Sequence, residues 1–368
     1  MFNLDIIIVT FKRPKFLRET IKSFLKIVNN YNFRLTILDG GNDEFKEYFN
    51  ETGTSLSTKE MLLKFFHNHK LIYYKQYNNN GDWALILDDY VKNICKAKNF
   101  VIVGDDDLFI DLKGFFDASE ELNNNEEYSI CNIHYKDNII KNFIETGYDL
   151  IDGKEYVNRF IQNNFINTQS VIHIFKTKKI KNNNTLYFLR LRDKGLEDFF
   201  GWDMYFLFFT AITGKIKYLK TNNVIEMGAQ GNEIRYTVAY PLTQWICYYL
   251  YSKYTLNKLL TINIINNKTK KKFLLHWIDS FFICYSKYLF SEYPTKDVDH
   301  DKVKNYLKTP ILLFVMKEIL SNRFLINIII IKRISWIIFL KILPIKIKYM
   351  NFFKKYVKKI LLHLKKYI

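Results

Sequence analysis

Three consecutive carboxylates, Asp105, Asp106 and Asp107, follow the apolar run 100–103 after the single residue Gly104. Held side by side such groups repel, because two like charges about 4 Å apart cost roughly 1 kcal/mol even in water and more at a protein site. A divalent cation removes the conflict. Mg2+ or Mn2+ is commonly held by one or two carboxylates while substrate phosphates complete its shell, and the Asp105-x-Asp107 spacing at a strand end suits that chemistry, with Asp106 left to point away. The plainer alternative is a solvated acidic turn. Asp39 ends another apolar run and offers a further carboxylate in an equivalent position.

The elements that would position these groups are legible in the first third of the chain. Short β-branched runs at 4–10, 34–39, 71–76 and 100–103 alternate with amphipathic stretches at 15–28, 58–66 and 83–97. Strand-length runs separated by helix-length ones predict a parallel sheet with crossover helices, an α/β fold. Ser57 and Glu60 form a capping-box pattern that opens the second helix. In such sheets a ligand sits outside the carboxyl ends of the strands. The residues just past each run are therefore the ones to inspect: Thr10 to Arg13, Asp39 with Gly40 and Gly41, Asn78 to Asp82, and Gly104 to Asp107.

Composition narrows the class. A 368-residue chain with 48% hydrophobic residues can bury a large core. Cys95, Cys131, Cys247 and Cys284 are widely separated, without zinc spacing or a disulfide framework, which suits a reducing compartment. No basic leader precedes the first strand, so a cytoplasmic location is expected. The net charge of +18 is concentrated at one end: residues 302–368 hold sixteen Lys and Arg against Glu318 alone, or +15, leaving +3 for the rest. That distribution argues against nucleic acid as a partner of the whole chain.

Strand-like runs at 128–135 and 170–175 and an aromatic-rich helix at 198–213 follow, and helical aromatic segments take over near residue 236. The domain expectation is thus 1–115, 116–235 and a helical basic region 236–368. Apolar runs at 324–331 and 334–340 are shorter than the ~18–20 residues a spanning helix needs. Residues 352–368 place Phe353, Tyr356, Val357, Ile360, Leu361 and Leu364 at helical spacing with lysines mostly opposite, the pattern of an interfacial helix on an anionic membrane, with a basic helical pair packed on the domain as the plainer alternative.

The motifs in their order resemble family 2 glycosyltransferases with the GT-A fold, of the kind that assemble bacterial surface glycans. Asp5 to Pro14 is similar to that family's opening strand and turn, with Thr10, Phe11 and Arg13 at its (T/S)-(Y/F)-x-R pattern. Leu38 to Asp43 resembles the nucleotide-contacting loop, Asn80-Gly81 the segment before the third crossover helix, and Val103 to Asp107 the D-x-D segment. The resemblance covers roughly residues 3–110. It implies that Thr10, Phe11, Arg13 and Gly81 line a nucleotide-sugar pocket and that Asp39 reads the base. Asp105, with Asp106 beside it, would serve the donor ribose or metal-bound water, and Asp107 would ligate Mg2+ or Mn2+ on the donor diphosphate. It further implies inversion at the anomeric carbon, onto a glycan or lipid-linked acceptor, at the inner face of the cytoplasmic membrane.

Such a transfer needs a general base. Family members place an Asp at the start of a helix that leads to Gly and then a strand; Asp203 fits, with Gly214 and the run 215–219 behind it, and Asp198 in Glu197-Asp198 is the second candidate. Helix capping is the alternative for both. Arg235 is a loose candidate for the diphosphate. His67 and His69 lack metal-ligand company and read as a solvated turn, whereas Trp83 and Trp202 could stack on sugar or pack in a core. A nucleotidyltransferase would want a Gly-rich phosphate loop, absent from Thr10 to Pro14, and a non-catalytic membrane-surface protein with a degenerate transferase domain is the other alternative.

Overall fold

The computed structural model describes residues 2–67, 69–78, 83–134, 149–162, 173–182, 202–226, 228 and 252–274. All belong to Met1–Val303, the first of two compact units. The four expected strands of the first third form: β1 (Leu4–Thr10), β2 (Phe33–Asp39), β5 (Ile72–Gln76) and β6 (Asn99–Val103). A short hairpin of β3 (Glu47–Phe49) and β4 (Thr54–Leu56) lies between the second and third of them. The later strands are β7 (Leu108–Phe109), β8 (Tyr128–His134), β9 (Leu150–Asp152), β10 (His173–Lys176), β11 (Lys215–Lys220) and β12 (Ile225–Glu226).

The main sheet has the order β5-β2-β1-β6-β10-β8-β11-β9. Its first half is parallel throughout, from β5 to β6. β10 then inserts antiparallel to both β6 and β8, β11 returns parallel to β8, and β9 closes the edge antiparallel. The chain is therefore α/β with a mixed sheet, as the alternation of runs led us to expect. β1 sits near the centre and is buried at every position, which is why its apolar residues run continuously over 6–9 rather than alternating, with Asp5 the buried exception.

Helices cover both faces. α1 (Pro14–Ile27) begins with Pro14, whose missing N–H would have had no helical partner there, and turns Leu17, Ile21 and Phe24 onto Leu4, Ile6 and Ile8. α2 (Thr58–Phe66) has the expected capping box: Glu60 N–H donates to Ser57 Oγ at 3.3 Å, and Ser57 N–H to Glu60 Oε2 at 2.9 Å. α3 (Trp83–Asp89) passes into a wider π turn, Tyr90–Ile94, so the single long helix expected over 83–97 is shorter and changes pitch. α4 (Lys113–Asn124), α5 (Gly153–Gln162), α6 (Thr177–Asn182) and α7 (Trp202–Ala211) complete the named helices. Further helical residues are 252–261 and 267–274, inside the region expected to be helical. Among the described residues no helix is long and apolar enough to cross a membrane.

The π turn has a visible consequence at the amino end of β1. It brings Tyr90 under the sheet, where its hydroxyl donates to Asp5 Oδ2 at 2.6 Å. Arg34, directly opposite Asp5 in the β1–β2 register, donates to the same oxygen at 2.6 Å, and Thr36 donates to Oδ1 at 2.6 Å. Asp5 is fully buried, and this set of donors is what makes its charge tolerable there.

Candidate active site

Thr10, Asp39 and Gln76 lie in one row across three adjacent parallel strands. The chain leaves β1, β2 and β5 at the same edge, and β6 delivers residues 104–107 beside β1. Two backbone bonds tie the exits together: Gly40 N–H donates to Thr10 O at 3.0 Å, and Tyr77 N–H to Asp39 O at 2.8 Å.

The acidic triplet is divided by what reaches it. Asp105 is 1% exposed and faces inward. Thr10 Oγ1 donates to its Oδ2 at 2.7 Å, Arg13 Nη1 to its Oδ1 at 2.5 Å, and Thr20 Oγ1 to its backbone oxygen at 2.9 Å. The other arm of the same guanidinium, Nη2, donates to Asp106 Oδ2 at 3.0 Å, and the Arg13 group also lies 4.6 Å from the Phe16 ring centre. Among the described residues, Asp107 is held by backbone N–H groups. Its Oδ2 accepts from Gly104 N–H and its Oδ1 from Gly228 N–H, each at 2.8 Å. Gly228 arrives because β12 pairs antiparallel with β7, folding the chain past residue 224 back over the triplet.

Gly104 is required by this arrangement. A Cβ there would stand 2.9 Å from Asp107 Oδ2 and 3.0 Å from Asp106 Oδ1, so both carboxylates would have to shift to admit a side chain. Without it, one oxygen of Asp106 and one of Asp107 flank the same space, while both oxygens of Asp105 are taken by Thr10 and Arg13. Each carboxylate oxygen retains a second lone pair beyond the donors named. Asp106 and Asp107 thus fit a small hard cation, and two carboxylates are what Mg2+ ordinarily takes from protein. Asp106, expected to point away, turns one oxygen to Arg13 and the other toward Gly104, while Asp105 is buried between Thr10 and Arg13. Among the described residues no group of three or more His, Cys, Asp or Glu side chains gathers as a metal site.

The electrostatics agree with a site built for charge relief. Burial pushes the Asp105 carboxyl up to about 7, with Asp106 and Asp107 adding to the rise and Arg13 and Thr10 opposing it. Burial also raises Asp107, against the two glycine N–H groups. Asp39, 2% exposed, is raised by burial too, opposed by hydrogen bonds from Gly41, Tyr74 and Thr58. Gly41 N–H donates to Asp39 Oδ1 at 2.8 Å and the Tyr74 hydroxyl to Oδ2 at 3.1 Å.

Of the other expected site residues, Phe11 is half-buried beside Lys12, whose ammonium lies 4.9 Å from its ring centre. Lys12 itself adopts φ 58°, a left-handed conformation that a non-glycine residue holds only at a cost, at the turn from β1 into α1. Asp203 lies in the first turn of α7, and Gly214 precedes β11, the sequence of elements expected for a base-bearing helix. Gly214 admits no side chain, since a Cβ would meet Glu127 O at 2.4 Å. α7 is seated by Phe206, whose ring centre is 4.6 Å from Phe175 of β10 and 6.0 Å from Phe100 of β6. Asp198, Gly81 and Arg235 lie outside the described residues, as do the side chains of Asp203, Trp202 and Trp83. Gly228, which takes φ 60°, was not among the expected site residues, and nothing local in the sequence marks it.

No family model and no curated protein matches the chain. Solved structures do resemble it. The crystal structure of S. aureus TarS matches with a TM-score of 0.49 and 15% identity, over 81% of this chain and 46% of that one, so the chain spans about half of its length. S. aureus TarS 1-349 in complex with UDP gives 0.49 and 14%, over 81% and 77%. Glucosyl-3-phosphoglycerate synthase from Mycobacterium tuberculosis, with Mn2+, UDP and glucosyl-3-phosphoglycerate, gives 0.37 and 8%, over 61% and 71%. Likenesses at these identities and scores bear no weight for function.

Proposed function

We propose that the chain is a GT-A glycosyltransferase that moves a sugar from a nucleotide-sugar donor to a hydroxyl of a glycan or lipid-linked acceptor in bacterial surface polysaccharide or lipooligosaccharide assembly. The observation that carries this reading is the convergence of Thr10, Arg13, Asp39 and the Asp105–Asp107 triplet at the carboxyl edge of the parallel half-sheet, where Thr10 meets Asp105 across 95 residues of sequence. That edge is where open α/β sheets bind ligands, and its acidic character suits a donor that brings its diphosphate with a cation.

Each residue then has a task. Asp39, already fixed by Gly41 and Tyr74, accepts a hydrogen bond from the base. Phe11 lines the base and ribose. Thr10 and Arg13 hold Asp105, and Arg13 offsets the charge of Asp105 and Asp106 so that the triplet can stay together without a ligand. Asp106 and Asp107 would hold Mg2+ or Mn2+, whose chemistry there is to neutralise charge on a departing diphosphate. Asp203, or Asp198, takes the proton from the acceptor hydroxyl on the opposite face of the sugar, giving inversion in one displacement. The basic amphipathic segment 352–368 contacts anionic lipid and so brings the site to a membrane-presented acceptor.

The test is a thermal-shift screen of the full chain against nucleoside diphosphates and nucleotide sugars, with Mn2+ or with EDTA. A rise for one nucleoside diphosphate that needs the cation is expected. No shift with any of them, together with no metal-dependent hydrolysis or transfer from any nucleotide sugar, would refute the reading.

A further inference from the structure

The edge strand β5 makes a set of side-chain contacts that the fold alone does not require. Its residues Tyr74 and Gln76, with Tyr77 just beyond, all reach the same short segment, residues 39–43 at the end of β2. Tyr74 hydroxyl donates to Asp39 Oδ2, Tyr77 N–H to Asp39 O, and Gln76 Nε2 to Gly41 O at 3.4 Å and to Asp43 Oδ1 at 3.0 Å. Tyr77 is itself anchored, its hydroxyl donating to Asp89 Oδ2 at 2.8 Å, the oxygen that also accepts from Lys75. Two neighbouring strands need only their backbone ladder to pair. Here the ladder is supplemented by side chains directed at one buried carboxylate and its loop.

We infer that Tyr74 and Gln76 are positioning residues that set nucleobase selectivity, by fixing which Asp39 lone pairs and which backbone groups of residues 41–43 face the base. The inference rests on the donor-site reading above. A buried carboxylate accepts and never donates when ionised, so it discriminates among bases only if its orientation is fixed. Tyr74 supplies that constraint on Oδ2 as Gly41 does on Oδ1. The groups facing Asp39 are Gly41 N–H, the Tyr74 and Thr58 hydroxyls and the Asp43 carboxylate. Burial and the charge of Asp39 hold the Tyr74 phenol far above its ordinary value, so it remains a donor from mildly acidic to mildly alkaline pH.

The experiment is calorimetric titration of full-length wild type, Tyr74→Phe and Gln76→Leu with UDP, GDP, CDP and ADP in Mn2+, from mildly acidic to mildly alkaline pH, with unliganded melting to confirm folding. Tyr74→Phe should weaken the preferred nucleoside diphosphate by roughly tenfold, the scale of one hydrogen bond to a charged acceptor, and weaken the others less. The selectivity ratio narrows. Because Asp39 is already raised by burial and Tyr74 opposes that rise, its removal should also move the acid limb of binding to higher pH, an effect that a merely structural residue would not produce. Gln76→Leu should narrow the ratio without moving that limb, and it alone decides the matter if Tyr74→Phe yields no folded protein. Unchanged ratios in the folded variants overturn the inference, whereas a wild type that binds none of the four overturns the donor-site reading beneath it.

Discussion

Asp107→Asn is the substitution whose cost can be worked most directly from the site. Both Asp107 oxygens accept backbone N–H groups at 2.8 Å, from Gly104 and from Gly228. Whichever way the amide of an asparagine turns, its NH2 faces one of those donors. One charge-assisted bond is lost and one N–H in a poorly hydrated place goes unmatched, together roughly 1.5–3 kcal/mol. Asp106→Asn differs. Among the described residues its Oδ2 meets Arg13, at 3.0 Å, and an amide carbonyl can replace it there while Arg13 keeps its bond to Asp105, so the cost should be roughly 1 kcal/mol or less. For a divalent cation the two changes are alike, since each removes one of two anionic oxygens beside Gly104. The assay is denaturant unfolding of both variants in EDTA, repeated with Mn2+ and the best-binding nucleoside diphosphate. Asp107→Asn should lose stability in EDTA and lose the Mn2+ increment; Asp106→Asn should lose only the increment. An Asp107→Asn protein as stable as wild type in EDTA, or an Asp106→Asn protein with its full Mn2+ increment, would refute the assignment.

Asp203→Asn should bind donor with near-normal affinity and lose transfer by the 10²–10⁴-fold attached to a general base; near-normal transfer would shift the role to Asp198. At the other end of β1, Asp5→Ala removes the acceptor of Arg34, Thr36 and Tyr90 and strands a guanidinium whose side chain is 15% exposed, which should cost roughly 3–5 kcal/mol, read as a lower unfolding midpoint. Deleting residues 344–368 should abolish sedimentation with phosphatidylserine vesicles at low salt and leave catalysis on a soluble acceptor intact; unchanged vesicle binding would remove the lipid role.

The positions of the strands that carry the site were legible because β1, β2 and β6 are buried almost throughout, and burial on both faces writes continuous apolar stretches such as 6–9 and 100–103 in place of an alternation. The capping box before α2 was equally legible, being a local pair of hydrogen bonds encoded by two residues three apart. What could not be read locally depends on distant partners. Nothing in Asp105-Asp106-Asp107 says which carboxylate turns inward; that is settled by Thr10 and Arg13, across 95 and 92 residues. Gly228 reaches Asp107 across 121 residues and leaves no periodic trace. The β3–β4 hairpin has three-residue strands, too short for an alternation to register. The π turn after α3, which sets Tyr90 against Asp5 across 85 residues, is not revealed by a helical pattern over 83–97.

The contacts of Asp105 with Thr10, Arg13 and Thr20 also fix an order of assembly. None of them can form until β6 has docked beside β1, and that docking encloses the whole segment between them, including the β3–β4 hairpin, α2, β5 and α3. Long-range closure of this kind is slow and comes late in folding. Until then the three carboxylates stand together in water with no guanidinium beside them.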